Sequence, residues 1–303
     1  MAIYNFGSLN IDKIYELDRF VKPEETIISK SYSEKFGGKG LNQSIAISRS
    51  GSEVYHIGVI GKDGNDFRNY LRSNNVNIDY IIQVNLPNGH AIIQVDRNGQ
   101  NCIIVDKGSN DHLNKDLIDD VMKKIGDSDF VLLQNEVSNV DYIIQQAFKR
   151  NAFIVLNPSP INSVLLESSL EHVNLFILNE IEAKYLSDYF EDNLEILKDK
   201  LLAKYPDSAF LLTLGSKGST YFDENSDVRN QAYEVKVKDT TGAGDTFCGY
   251  FISSLSKGKD IKECMEISNA ASALAITNQG ASSSIPNFKV VEKFIEYNKR
   301  RNQ

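Results

Sequence analysis

The residues best suited to chemistry lie in one short segment in the last third of the chain. Gly242, Ala243 and Gly244 form a small-residue turn directly before a helical pattern, and Asp245 follows them. Small residues let the backbone curl so that several N–H groups point one way at the positive end of a helix dipole, which predicts an anion hole. A carboxylate there can take a proton from an attacking hydroxyl while the amides hold a transferred phosphoryl group. Composition alone leaves another interpretation open, in which this is only a turn and Asp245 caps the helix.

Composition limits the classes of protein that this chain can be. Its 303 residues are 41% apolar, enough to bury a large core, and 24% charged with a net charge of −8. An acidic chain with interspersed charges has no basic field for a phosphate backbone, so we expect no nucleic-acid partner. Local donors can still bind a single nucleotide.

The sequence also favours a protein without a membrane partner. No apolar run approaches the roughly 18 residues needed to cross a bilayer. The first ten residues lack the charged and apolar blocks of a signal peptide, so we expect a cytoplasmic protein. Cys102, Cys248 and Cys264 are far apart and are expected to be buried apolar residues without a disulfide or a zinc site. The four histidines are equally scattered and predict no metal site.

The elements that position this segment follow from periodicity. Apolar, β-branched runs predict buried parallel strands at Ala2–Phe6, Val54–Ile60, Phe130–Gln134, Phe153–Asn157, Leu175–Leu178 and Phe210–Leu214. Helical patterns lie at Gly40–Ser50, Asn114–Ile125, Val140–Arg150, Asn193–Lys204, Thr246–Ser256, Ile261–Thr277 and Phe288–Arg301. Alternating strands and helices predict an α/β fold with a doubly wound, mostly parallel sheet and helices on both faces.

Two stretches, at about 13–33 and 88–107, predict antiparallel ribbons instead. Thr26–Tyr32 has extended character, and Asn98-Gly99 predicts a type I′ hairpin turn. Together the ribbons predict a small inserted β-sheet that rises from the carboxyl edge of the main sheet and serves as a lid. Residues 1–303 are therefore expected to form a single domain with this lid.

Two motifs, far apart in the chain, carry a resemblance to a known family. Asp239–Phe247 resembles the C-terminal signature of ribokinase-like (PfkB) sugar kinases, and Gly37–Ser44, followed by Gly51 and Gly61, is similar to the other family signature. The resemblance implies ATP-dependent transfer of a phosphoryl group to a sugar hydroxyl, with Asp245 as base and Gly242, Ala243 and Gly244 as the anion hole. It also implies a homodimer formed through the lid sheet, whose apolar face of Ala91, Ile93 and Val95 meets either the partner or the core.

The same resemblance assigns the sugar pocket. The implied sugar-binding residues are Asn10, Asp12, Gly38, Lys39, Asn42 and Glu136, together with Asp245. This set is more similar to kinases of the family that phosphorylate D-ribose on O5 than to fructokinase, ketodeoxygluconate kinase or nucleoside kinase, which stay as alternatives. The product expected is D-ribose 5-phosphate.

Nucleotide and metal positions are implied in the same way, with ATP, Mg²⁺ and K⁺ as cofactors. The nucleotide side comprises Asn179, Thr213, Gly215, Gly218 and Asn269, and Asn179 with Glu182 matches the family's magnesium element. Asn179 and Glu182 also fit an ordinary helix cap. The implied potassium ligands are the Asp239 side chain and the backbone of Thr241, Ala275, Asn278 and Gly280, with Ser284 nearby.

Some observations point elsewhere. The chain lacks Gly-x4-Gly-Lys-Ser/Thr, which disfavours a P-loop kinase, and Gly58–Gly64 only superficially resembles a dinucleotide fingerprint of a dehydrogenase. A third alternative is a ligand sensor without catalysis. Tyr250 follows Gly249 where the family signature usually has a second small residue, which leaves the packing of that helix open.

Overall fold

The computed structural model describes residues 1–301, and residues 302–303 of the predicted 1–303 domain lie outside the described residues. In chain order the strands are β1 Ile3–Phe6, β2 Asn10–Glu16, β3 Ser31–Gly37, β4 Val54–Ile60, β5 Asn77–Gln83, β6 Gly89–Val95, β7 Asn101–Asp106, β8 Phe130–Gln134, β9 Phe153–Asn157, β10 Leu175–Asn179, β11 Ala209–Thr213, β12 Ser219–Phe222 and β13 Asp227–Asn230. The six predicted buried strands are confirmed to within a residue at each end.

The predicted helical segments are confirmed as well. The helices are α1 Lys39–Arg49, α2 Asn65–Ser73, α3 Lys115–Met122, α4 Val140–Lys149, α5 Ser163–Leu166, α6 Glu180–Ser187, α7 Leu194–Lys204, α8 Ala243–Ser256, α9 Ile261–Ala275 and α10 Phe288–Arg301. Short 3-10 turns occur at Gly108–His112, Leu170–His172 and Gly215–Lys217. Side chains that accept backbone N–H groups start several helices, as Asn114 does for α3 and Asp260 for α9. No helix within residues 1–301 is long and apolar enough to cross a membrane.

The main sheet has the strand order β13-β12-β11-β10-β9-β8-β1-β4-β5. Strands β1, β4, β5 and β8 to β11 are parallel, and β12 and β13 add an antiparallel edge. Neighbouring side chains of one strand point to opposite faces, so Leu132 and Leu133 of β8 enter two separate cores. One core lies under α1, α2, α8, α9 and α10, and the other under α3, α4, α6 and α7. The doubly wound α/β prediction is confirmed.

A second sheet, with the order β3-β2-β6-β7, forms the predicted lid. Its β2–β3 and β6–β7 pairs are antiparallel, and a parallel β2–β6 pair joins them. The prediction of extended structure over Thr26–Tyr32 was wrong for most of that segment, because pairing with β2 begins only at Ser31 opposite Glu16. Residues 26–30 are not paired with any strand of the lid, and Ile28 is almost fully exposed.

The turn between β6 and β7 differs from the type I′ turn that was predicted. Gly99 has a φ of 78°, but Asn98 is not in the left-handed region that a type I′ turn requires. The Gly99 N–H donates to the Asp96 carbonyl at 3.0 Å, and the Asp96 carboxylate accepts from the N–H groups of Asn98 and Gln100. This is a three-residue loop with glycine in the bulge position, stabilised by the Asp96 side chain.

Burial of the cysteines was predicted correctly for two of the three. Cys248 and Cys264 are buried, and burial raises the pKa of the Cys264 thiol to about 12. Cys102 is exposed, since β7 is the edge strand of the lid and all its residues are exposed.

Helices α1 and α8 cross closely beneath the site. A Cβ on Gly249 would lie 2.4 Å from the Cβ of Ala46, so only glycine permits this approach. Tyr250 is fully buried on another side of α8, and its hydroxyl donates to the Pro286 carbonyl at 2.7 Å. The large residue that departs from the family pattern therefore packs against the segment that precedes α10.

Candidate active site

Most polar residues singled out from the sequence lie along one edge of the main sheet. Parallel strands end together, and the register places Gln134 of β8 beside Asn157 of β9, and Asn179 of β10 beside Thr213 of β11. The turn after β1 reaches the same carboxyl edge, because β1 lies between β4 and β8. Ligands of open α/β sheets bind at this edge. The strand order thus puts the predicted sugar residues on one side and the predicted nucleotide residues on the other.

The start of α8 has the geometry of the predicted turn. Gly242 caps the helix with a φ of 74°, a conformation that side chains disfavour. The Ala243 N–H donates to the Thr240 carbonyl at 3.2 Å, so one of the three predicted anion-hole amides has a backbone partner. A Cβ on Gly244 would meet nothing within 4 Å, which leaves open space beside that residue. Asp245 follows in the first turn and is only 7% exposed.

Two amides from α1 hold the Asp245 carboxylate. Asn42 Nδ2 donates to Asp245 Oδ2 at 2.9 Å, and Gln43 Nε2 donates to Asp245 Oδ1 at 2.9 Å. Asn42 Oδ1 is buried and has no hydrogen-bond partner among the described residues. A buried acceptor without a donor is costly, and a ligand hydroxyl can supply the missing donor.

Acidic groups and one lysine crowd the predicted sugar pocket. Burial and the nearby charges of Glu136 and Asp245 raise the pKa of Asp12 to about 7. Burial also raises the pKa of Glu136, although Lys39 is near and both Ser8 Oγ and the Lys39 N–H donate to its carboxylate. Burial alone would lower the pKa of Lys39, but the carboxylates around it outweigh that effect and raise it. These groups can donate to and accept from vicinal hydroxyls.

The glycines of the first family motif allow this crowding. Gly38 caps α1 with a φ of 96°. A Cβ on Gly37 would lie 2.1 Å from the Asp12 carboxylate, and one on Gly40 would lie 2.4 Å from the Ser8 nitrogen. The N-terminus of α1 therefore packs directly on the turn after β1.

Asn10 is buried at the start of β2, and its Oδ1 accepts from Asn110 Nδ2 at 2.7 Å. Sequence reasoning missed Asn110, Ser8 and Gln43 as contacts of the site. Gln43 lies inside the motif that was recognised, so its position was available as a signal. Asn110 comes from a short 3-10 turn far along the chain and had no such signal.

The predicted nucleotide side begins at the end of β10. Asn179 and Glu182 form a capping box, in which Asn179 Oδ1 accepts from the Glu182 N–H at 2.8 Å and Glu182 Oε2 accepts from the Asn179 N–H at 3.0 Å. This is the helix cap that the sequence left open as an alternative. Glu182 is buried, and its charge adds to those of Asp245 and Glu136 in raising the pKa of Lys39.

Four further nucleotide-side predictions fall on or beside β11 and β12. Thr213 ends β11, and Gly215 and Gly218 have φ values of 58° and 92° in the turn that follows. A Cβ on Gly218 would lie 2.1 Å from the Asn230 carbonyl oxygen. Asn269 is buried on α9 and donates to Ser219 Oγ at 3.1 Å.

The predicted potassium loops approach each other through Asp239. Its Oδ1 accepts from the Thr241 N–H at 2.9 Å, and its Oδ2 accepts from the Gly280 N–H at 2.8 Å. Burial works to raise the pKa of Asp239, but the hydrogen bonds from the Thr241 hydroxyl and from these two N–H groups, together with the charge of Lys35, outweigh it and lower the pKa. The remaining residues of the set lie on the same stretch: the Ala275 carbonyl accepts from the Asn278 N–H, and Ser284 is buried.

A cavity of about 740 Å³ lies between the lid and these loops. Asp12, Lys35, Asp239 and Gly280 are among its lining residues, and so are Ile93 and Val95 from the lid. The apolar face of β6 therefore points toward the cavity at Ile93 and Val95. A concave space of this size suits a small-molecule ligand.

Comparison with known proteins agrees with the fold. The chain matches the pfkB family of carbohydrate kinases over residues 3–287. It is 31% identical to a ribokinase of Haemophilus influenzae over 298 residues, which cover 96% of this chain and 97% of that protein. It is 30% identical to a deoxyribokinase of Salmonella typhi, with 98% of each chain covered. A structure of Arabidopsis thaliana ribokinase complexed with ribose and ATP aligns with a TM-score of 0.83 at 28% identity, covering 97% of this chain and 98% of that one. The chain belongs to the pfkB family of carbohydrate kinases.

Proposed function

We propose that this carbohydrate kinase transfers the γ-phosphoryl group of ATP to O5 of D-ribose, giving D-ribose 5-phosphate and ADP. The observation that carries the proposal is the buried Asp245 carboxylate at the start of α8, next to Asn42 Oδ1, which has no hydrogen-bond partner within residues 1–301. One group can receive a proton and the other can accept a hydrogen bond from the acceptor sugar. The ribokinases and the ribose complex among the relatives support ribose as the acceptor.

The residues of this site divide the reaction between them. As the bond from the sugar oxygen to the γ-phosphorus forms, the bond from that phosphorus to the β-phosphate bridging oxygen breaks, and the hydroxyl proton passes to Asp245. The N–H groups at the start of α8 point toward charge that develops on the phosphoryl oxygens. In a loose transition state the hydroxyl gives up its proton late, so positioning contributes most of the rate.

We propose that Asn10, Asp12, Gly38, Lys39, Asn42 and Glu136 bind the sugar. Asp12 and Glu136 accept hydrogen bonds from hydroxyls, and the Lys39 ammonium donates to a sugar oxygen. Because carboxylates here are crowded and partly dehydrated, hydroxyl donors replace the water that they have lost. Closure of the lid over the cavity keeps water out of the acceptor's place, which prevents hydrolysis of ATP.

The proposed nucleotide residues are Asn179, Thr213, Gly215, Gly218 and Asn269. Asn179 and Glu182 offer an amide and a carboxylate, which suit a hard, hydrated Mg²⁺ ion bound through its waters. When bound, Mg²⁺ neutralises charge on the phosphates. The capping box that joins Asn179 and Glu182 keeps both side chains in one orientation at the start of α6.

A K⁺ site next to the anion hole is also proposed. Its ligands are Asp239 and the backbone of Thr241, Ala275, Asn278 and Gly280, with Ser284 nearby. The fit rests on the lowered pKa of Asp239, which stays ionised, and on the two loops that its carboxylate joins. A cation there adds positive charge beside the turn at 242–244.

We further propose a homodimer formed through the lid sheet. The edge strand β7 carries three consecutive exposed apolar residues, Ile103, Ile104 and Val105. Ile103 is 53% exposed and Val105 is 50% exposed, although both are apolar and lie on an edge strand. Such an edge is a surface for pairing with a second copy.

ATP is a cytoplasmic metabolite, and we propose that the enzyme acts in the cytoplasm.

The test measures ADP release with a panel of acceptors in the presence of Mg²⁺ and K⁺. We expect D-ribose to give the largest kcat/KM, ahead of 2-deoxyribose, fructose and nucleosides, and mass spectrometry to find the phosphate on O5. Asp245→Asn should lower kcat by about 1,000-fold or more, since it removes the base, while calorimetric binding of ribose is retained in part. An Asp245→Asn enzyme with wild-type kcat would refute the assignment of the base. Turnover of another sugar alone would refute ribose.

A further inference from the structure

Gln43 of α1 stands at the centre of a buried hydrogen-bond network behind Asp245. Its side chain is fully buried, and its Nε2 donates to Asp245 Oδ1 at 2.9 Å and to Asn157 Oδ1 at 3.2 Å. Its Oε1 accepts from Gln134 Nε2 at 2.7 Å. All the hydrogen-bonding groups of the Gln43 amide therefore have partners, and only one of these partners is Asp245.

One end of the network is fixed by a backbone carbonyl. Asn5 Nδ2 donates to the Gly40 carbonyl at 2.8 Å, and because a carbonyl only accepts, the nitrogen of the Asn5 amide must point there. Asn5 Oδ1 then faces Gln134, whose Nε2 donates to it at 2.9 Å. The second hydrogen of the same nitrogen goes to Gln43 Oε1, so Gln134 determines which end of the Gln43 amide is the acceptor.

The other end is fixed in the same way. Asn157 Nδ2 donates to the Ile177 carbonyl at 2.8 Å, which turns Asn157 Oδ1 toward Gln43. Both ends therefore require the Gln43 nitrogen on the side of Asp245. Gln134 makes its two bonds although its own Oε1 stays buried without a partner among residues 1–301. That orientation persists because the reverse one would place acceptor against acceptor at both neighbours.

We infer that Gln43 is a positioning residue for the proposed base, and that Gln134 acts through it by holding the Gln43 amide nitrogen toward Asp245. The inference rests on the proposed function of Asp245. With Asn42 on Oδ2 and Gln43 on Oδ1, neither carboxylate oxygen can rotate out of place, so the remaining lone pairs point in a constant direction. A base held in this way needs no reorientation when the sugar hydroxyl arrives.

Apart from Asp245, the network carries no charge that could act on the base electrostatically. Beyond Asn5 it continues to Ser44, whose hydroxyl lies 2.9 Å from His56 Nδ1. Burial lowers the pKa of His56 to about 4, so the imidazole is neutral near pH 7. Orientation of the Asp245 carboxylate is therefore what these amides supply.

The experiment is a double-mutant cycle on the full chain with Gln43→Met and Gln134→Met. Methionine keeps the side-chain length and removes the hydrogen bonds. We expect each single variant to lower kcat by on the order of 10-fold to 100-fold while the calorimetric Kd values of ribose and ATP change by less than about 3-fold. Because Gln134 acts through Gln43, Gln134→Met should lower kcat by less than about 2-fold once Gln43 is methionine.

Gln145→Met is the matched control, because Gln145 Nε2 also donates to two side chains but lies on α4, away from the carboxyl edge. It should leave kcat unchanged. If Gln134→Met fails to fold, Gln43→Asn provides the test, since it keeps an amide that is one methylene too short to join Gln134 to Asp245. Equal losses from Gln134→Met in both backgrounds, or full kcat in Gln43→Met or Gln43→Asn, would overturn the inference. A wild-type chain inactive on every sugar would instead refute the proposed function.

Discussion

Gly249→Ala tests whether the crossing of α1 and α8 sets the position of Asp245. A Cβ at residue 249 would lie 2.4 Å from the Ala46 Cβ, 2.9 Å from the Gln43 carbonyl oxygen and 3.0 Å from the Ile47 nitrogen. Ordinary contacts of a Cβ begin at 3.4 Å. The two helices must therefore separate by about 1 Å at this point, because neither backbone nor a methyl group can turn aside.

This separation acts directly on the proposed base. Asp245 is on α8, and Asn42 and Gln43, which donate to it at 2.9 Å, are on α1. A further 1 Å would take both bonds beyond hydrogen-bonding distance. We expect kcat to fall by about 100-fold, as a misplacement of this size can cause, and overpacking to cost about 1–3 kcal/mol of stability.

Steady-state kinetics and thermal unfolding measure the two effects. Gly126→Ala is the control, since the nearest atom to its added Cβ lies 3.8 Å away, and it should behave as wild type. Adding Ala46→Gly to Gly249→Ala removes the facing methyl group and should restore part of kcat. Wild-type kcat and melting temperature in Gly249→Ala would refute the reasoning, because they would mean that the helices do not pack as closely as described.

Three further predictions concern charge and assembly. The pKa of Asp12 is raised to about 7, so the folded chain holds its proton more tightly than the unfolded one, and ionisation costs stability as pH rises from about 4 to 7. Near pH 4, Asp12→Asn should thus have the same stability as wild type in thermal or urea unfolding. At pH 8 it should be up to about 4 kcal/mol more stable and should bind ribose more weakly. No gain in stability at pH 8 would contradict this prediction. Replacing K⁺ by Na⁺ should lower kcat, and equal rates in the two salts would remove the potassium site. Ile103→Lys should convert the dimer to a monomer in sedimentation velocity, whereas a wild-type monomer would contradict the lid interface.

Much of the fold was predictable because its signals are local. The apolar run Val54–Ile60 became a buried strand with those bounds, since such a run can be satisfied only with cover on both faces. The turn before Asp245 was equally readable, because glycine at 242 permits the left-handed cap that starts α8. Motif spacing then connected this turn with the first glycine-rich motif and hence with a family of carbohydrate kinases.

Two of the failures share one physical cause, which is that strands distant in sequence decide them. Thr26–Lys30 has strand-forming residues, yet no neighbouring strand extends beside it. Cys102 is exposed because β7 is the outer strand of the lid. The third failure has a local cause: the Asn98-Gly99 turn is not type I′ because the Asp96 carboxylate accepts the N–H groups of Asn98 and Gln100.

By itself the sequence determined where most of the strands and helices form and which turn brings a carboxylate to a helix start, because spacing and residue type act over a few positions. The tertiary structure alone decided what surrounds that carboxylate. Gln43 and Gln134 became its support because the strand order places β8 next to β1 and a glycine at 249 lets α1 approach α8. An amide can donate or accept, so its role depends on the atoms that surround it, and those come from segments that only folding brings together.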